Sequence, residues 1–107
     1  MKSILFAAVF VAGVTLVFTG GPAAAAAKSG ETLFKQHCAG CHPNGGNILT
    51  AQKSLSKKDL EANKIRTAED IVTVMRNPGP GMSKFDAKLV PDKEAQQIAE
   101  YILTTFK

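Results

Sequence analysis

Cys38-Ala39-Gly40-Cys41-His42 gathers two thiols and an imidazole into five consecutive residues. Near a helix end, cysteines three apart point the same way and can reach two vinyl groups on one edge of a porphyrin. The histidine beside the second cysteine then comes under the iron and offers a ring nitrogen. C-x-x-C-H is the attachment sequence of c-type haem, and one covalent haem c is the cofactor expected here. A thioredoxin-like pair would need a βαβ context, and no segment shows strand alternation. A zinc ion could recruit His37, Cys38, Cys41 and His42, yet zinc sites usually take ligands from two separated segments. A plain disulfide is the remaining alternative in an oxidising compartment.

With His42 as one axial ligand, the sixth position has three candidates in His37, Met75 and Met82. His37 precedes Cys38 and cannot easily reach the opposite haem face. Met75 falls on an apolar stripe with Ile71, where a core role is the commoner one. Met82 ends Asn77-Pro78-Gly79-Pro80-Gly81, a stretch that cannot be helical and lets the backbone approach a flat cofactor closely. Met82 is therefore the expected partner of His42. A thioether favours Fe(II), so His/Met ligation raises the reduction potential. With both axial positions filled, the iron moves electrons rather than binding substrate.

Four helical stretches would position these residues. Leu33, Phe34 and His37/Cys38 recur at helical spacing over about Gly30 to Ala39. A Gly-Pro-Asn-rich loop follows at 40–47, and a short polar helix is predicted over Lys57 to Asn63. Thr67 reads as an N-cap with acids in the first turn behind it. Ile71, Val74 and Met75 then form the stripe that Asn77-Pro78 ends. The last helix starts near Pro91-Asp92 and carries Ala95, Ile98, Ala99, Ile102 and Phe106 on one face. The fold class is all-α.

The chain has 107 residues, 13 Lys+Arg against 9 Asp+Glu, and only two cysteines. That length allows one domain and excludes a disulfide-dense scaffold. No basic block interleaves with aromatics, so nucleic acid is not an expected partner. Met1-Lys2-Ser3, an apolar run from Ile4 to Phe18 and small-residue sites before Lys28 have the three-part pattern of a secretory signal peptide. The run is too short for a spanning helix. Residues 1–27 are expected to be cleaved, leaving 28–107 as a single exported domain with no membrane span. A chain of about 80 residues buries only roughly 60% of its unfolded surface and often needs additional core. A macrocycle burying several hundred Å² adds on the order of 10 kcal/mol gross.

The chain resembles the class I monohaem cytochromes c, most closely the bacterial cytochrome c6 (c553) group, which includes members from metal-reducing respiratory chains. The matching strings are Gly30-x-x-x-Phe34-x-x-x-Cys38-x-x-Cys41-His42, Gly45-Gly46-Asn47, Lys53-x-Leu55, and Asn77 to Met82 with Phe85 beyond. Ile98-x-x-Tyr101 looks like the family's C-terminal helix contact. The resemblance implies a small cytochrome c fold of about four short helices wrapped around one haem. Gly30 would permit close approach of the first and last helices, with Phe34 packing near Tyr101. It makes Met82 the sixth ligand, Asn47 and Lys53 haem-pocket or propionate neighbours, and Phe85 a pocket wall.

Three positions depart from the family pattern. Ser83 stands where Pro commonly follows the Met, softening the loop. Ala51 stands where a Pro carbonyl usually accepts a bond from the proximal histidine. Val74 stands where photosynthetic members often carry Gln, and an apolar residue there should lower the potential. The expected function is a periplasmic (or lumenal) one-electron carrier, monomeric and not an enzyme, serving other redox proteins. Lys53, Lys57, Lys58, Lys84 and Lys88 could steer an acidic docking face. The alternative is a haem sensor or peroxidase-like protein in which Met82 is labile.

Overall fold

Ser29 opens the first helix of this computed structural model, which describes residues 11–15 and 28–107; most of the expected leader, 1–27, lies outside them. The Ser29 hydroxyl accepts from the Thr32 N–H, so α1 runs Gly30–His37, shorter than the predicted stretch, with Cys38 as its C-cap. Two 3₁₀ turns follow, at Pro43–Gly45 and Ala51–Lys53. Helix α2 spans Lys57–Ala62 behind a Ser56 cap. Helix α3 spans Ala68–Arg76 and α4 spans Asp92–Thr105. Among the described residues there is no strand, and no helix is long and apolar enough to cross a membrane.

Helix α3 starts where Thr67 implied. The Thr67 hydroxyl accepts from Asp70 N–H at 3.1 Å, and the Asp70 carboxylate accepts from Arg66 and Thr67 N–H at 2.9 and 3.1 Å. This reciprocal capping box satisfies donors that the first helical turn otherwise leaves unpaired. The same two backbone N–H groups, Arg66 first, hold the Asp70 carboxyl below the usual carboxylate range.

Helix α4 packs against both α1 and α3. Leu33 and Phe34 from α1, Ile71 and Met75 from α3, and Ala95, Ile98, Ala99 and Ile102 from α4 are buried. Gly30 is what brings α1 close to α4. A Cβ at this position would strike the Gln97 carbonyl oxygen and come within 2.9 Å of Tyr101 Cβ. Phe34 meets Tyr101 with ring centroids 5.4 Å apart, as the family resemblance implied. Phe106, by contrast, does not continue the α4 face. It is the C-cap, in extended backbone, and its ring turns back onto Phe34 at 5.3 Å. There it covers Gly45, whose φ of +79° and contact with the Phe106 ring leave no room for a side chain.

Two outcomes follow from this packing. Gly30→Ala separates the helix pair and destabilises the domain by about 2 kcal/mol, measured by denaturant unfolding. Asp70 has a lowered carboxyl pKa when folded, so its contribution is complete above the unfolded value and is lost as pH falls through the folded one. Asp70→Asn therefore melts below wild type at neutral pH, and the gap closes on acidification in a thermal-unfolding series.

Candidate functional site

The residues that turn α1 toward the loop are tied into a tight backbone knot. Cys38 N–H donates to Phe34 O at 2.8 Å, and His42 N–H donates to Cys38 O at 2.9 Å. Cys41 accepts on its carbonyl from Ile48 N–H at 3.0 Å, which folds the following loop back over the motif. Cys38 and Cys41 are free thiols, not a disulfide. Burial pushes the Cys38 thiol up to about 11, so it is held neutral, while Cys41 is exposed.

The His42 ring has a defined orientation. Its Nδ1–H donates to the Gly46 carbonyl at 2.6 Å, which leaves Nε2 as the lone-pair nitrogen. The acceptor is Gly46, not Ala51, the position suggested by family resemblance. The 3₁₀ turn explains the change: Gly45 N–H bonds to His42 O and Gly46 N–H to Pro43 O, which brings the Gly46 carbonyl back over the imidazole. A carbonyl that accepts from the other ring nitrogen in this way fixes tautomer and ring direction for a metal-ligating histidine.

A cavity of about 330 Å³ opens beside this knot. Cys38, Cys41 and His42 line it together with Met82 and Phe85. Leu55, Ile71, Val74, Ile98 and Ile102 contribute apolar wall, and among the described residues no acidic side chain faces in. Met75 also lines it while remaining 3% exposed, in keeping with a core role. His37 reaches the cavity's edge and stacks edge-on against Phe85, with centroids 6.1 Å apart. Two thiols, an imidazole with a free Nε2 and a thioether in an apolar, acid-free space fit a porphyrin carrying a soft-ligated iron. They do not fit zinc, because among the described residues no three His, Cys, Asp or Glu side chains converge.

Asn47 and Lys53 both line the cavity, but Asn47 spends its polar atoms on the loop. Its Oδ1 accepts from Leu49 and Thr50 N–H at 2.9 and 2.8 Å, and its Nδ2 donates to Lys53 O at 3.1 Å. Asn47 thus builds the wall on which Lys53 stands. Asn63, which no motif singled out, also lines the cavity; its Nδ2 donates to Gln52 O and Asp59 O. The signal for it was slight: a lone amide at the C-cap of α2.

Residues 25–102 match the protein family described as cytochrome c oxidase, cbb3-type, subunit III. Cytochrome c6 of Nostoc sp. strain PCC 7120 is 34% identical over 93 residues, covering 87% of this chain and 83% of the relative. Among solved structures, OmcF, outer membrane cytochrome F from Geobacter sulfurreducens, is 46% identical with a TM-score of 0.72. That likeness covers 74% of this chain and all of OmcF. Cytochrome c6B from Synechococcus sp. WH8102 is 36% identical with a TM-score of 0.64, over 70% of this chain and 84% of its own. Motif, cavity and likeness converge on one conclusion: the chain belongs to the c6-type group of class I cytochromes c, all-α haem electron carriers with one covalently bound haem c.

Proposed function

We propose that the chain is an exported one-electron carrier in which Cys38 and Cys41 hold the haem as thioethers and His42 and Met82 are its axial ligands. The observation that carries this is the His42–Gly46 bond, which reserves Nε2 in the cavity that Met82 also lines. The bound haem supplies an Fe(II)/Fe(III) couple. Met82 contributes a soft thioether that favours Fe(II) and raises the potential, and an apolar wall lines the cavity beside it. Val74, half-buried on that wall, leaves one polar neighbour fewer than a glutamine would.

Electrons leave through the exposed Cys41 edge. Ile48 and Leu49 stand beside it, 61% and 67% exposed, although both are large and apolar. An apolar pair bordered by Lys53 suits brief contact with an acidic redox partner, with charge steering the approach and little area holding the complex. Lys57, Lys58, Lys84 and Lys88 are exposed as well. The leader, residues 1–27, sends the chain across a membrane, and residues 28–107 work as a monomer in the periplasm or an equivalent lumen.

Periplasmic holoprotein tests the reading directly. Its mass should equal residues 28–107 plus one haem, give or take the leader's last few residues, and its ferric spectrum should show the far-red sulfur-to-iron band. Met82→Ala should abolish that band, lower the reduction potential and admit imidazole or CO. An unchanged spectrum in Met82→Ala refutes the ligand assignment. Val74→Gln should raise the potential in a redox titration while leaving the band in place; no shift refutes the role given to Val74.

A further inference from the structure

Arg76, the last residue of α3, makes three hydrogen bonds that neither the haem motif nor the core requires. Its Nη1 donates to Phe85 O at 3.1 Å and to Val90 O at 2.8 Å. Its Nη2 donates to Asp92 Oδ1 at 2.7 Å. The side chain is 19% exposed, whereas Asp92 is 89% exposed, so the two carbonyl bonds are the sheltered part of the arrangement. One guanidinium thus joins the end of α3, the return of the Met82 loop, the loop's exit and the first residue of α4.

The loop needs such an anchor. Between Asn77 and Ser83, Pro78 and Pro80 lack N–H donors, and Gly79 and Gly81 add backbone freedom. Among the described residues, the one backbone bond within that stretch is Met82 N–H to Gly79 O, long at 3.4 Å. Closure therefore falls to the residues at its base. Phe85 N–H donates to Met75 O at 2.9 Å, and Arg76 takes the Phe85 carbonyl on the other side of the same residue. Phe85 is held at both backbone groups, three residues beyond Met82. The planar fork of arginine spans two carbonyls and a carboxylate, which the single-point ammonium of lysine does not.

We propose that Arg76 is the positioning residue for Met82: its guanidinium keeps the 77–84 loop closed and so sets how firmly the thioether stays in the sixth position. This rests on Met82 being that ligand. Arg76 touches neither the iron nor the porphyrin in this role; it acts through Phe85 and the loop.

The test uses ferric holoprotein carrying Arg76→Ala, Arg76→Gln or Arg76→Lys, with Asp92→Asn and Thr67→Ala as controls. Asp92→Asn removes only the exposed ion pair, and Thr67→Ala weakens α3 at its far end. Arg76→Ala and Arg76→Gln should weaken the far-red band and raise imidazole affinity about tenfold, the factor that ~1.4 kcal/mol of lost closure produces. Amide hydrogen exchange at Phe85 should accelerate to a similar extent. Arg76→Lys should fall between these and wild type, and both controls should stay near wild type. If Arg76→Ala does not load haem, Arg76→Gln carries the comparison. Folded Arg76 variants with unchanged band and imidazole affinity overturn the proposal. So does a Thr67→Ala protein that loosens as much, since general destabilisation would then account for the effect. A wild-type protein with no far-red band is a different failure: it overturns the Met82 ligand and the clamp with it.

Discussion

Among the described residues, five of the ten buried core side chains, Leu60, Ile71, Met75, Ile98 and Ile102, also line the cavity. Half of that core therefore packs against protein on one side and forms cavity wall on the other. Helix α4 is the common support, packed on α1 along one side and on α3 along another. The remaining apolar faces meet across the cavity. A macrocycle filling it contributes on the order of 10 kcal/mol gross by burial, which is comparable to the whole net stability of an ordinary domain. Cofactor and core are one structure, and a covalent attachment keeps that core from being lost by dissociation.

The two sides of the cavity are built on opposite principles. On the Cys38–His42 side, consecutive backbone bonds and the Nδ1–Gly46 contact leave the imidazole no choice of direction. On the Met82 side, a proline- and glycine-rich loop has almost no internal bonding and depends on contacts at its base. Proline supplies stiffness in φ and glycine supplies close approach, but neither closes the loop. With Met82 as the proposed ligand, variation in the strength of axial ligation is therefore available mainly on the loop side, without disturbing the attachment motif. Gly81 shows how little space there is: its φ is +90°, and a Cβ there would lie 3.3 Å from Leu49 Cδ1.

Features set by local chemistry were readable from the chain. C-x-x-C-H, the Thr67 cap and the helix-breaking run before Met82 each depend on neighbours within a few residues, and each lies where spacing placed it. Features set by tertiary return were not. One local choice was missed as well: the 3₁₀ turn at Pro43–Gly45 brings the Gly46 carbonyl, only four residues on, to the His42 ring ahead of Ala51. Phe106 sits at helical spacing from Ile102, yet its ring is claimed by Phe34 and by the gap above Gly45. Asn47 carries the right polarity for a propionate neighbour but spends it on the backbone of 49–53. Arg76 looks like an ordinary last-turn cation until its three partners, up to sixteen residues away, come into view.

The family match and the relatives attach one fold to different settings. The matched family is described by an oxidase subunit, the curated relative is a cytochrome c6, and the neighbouring structure is an outer membrane cytochrome. A fold shared across such settings does not select a partner, because the partner meets only the surface. Here the proposed docking surface lies on loops that the fold leaves free: Ile48 and Leu49 beside Cys41, with Lys53 lining the cavity. Their exposure costs nothing inside the core, since the loop is held by Asn47 rather than by burial of these side chains. On the proposed reading, the scaffold around the haem can stay constant while residues 48–53 set the identity of the redox partner, independently of the proposed ligands that set the potential.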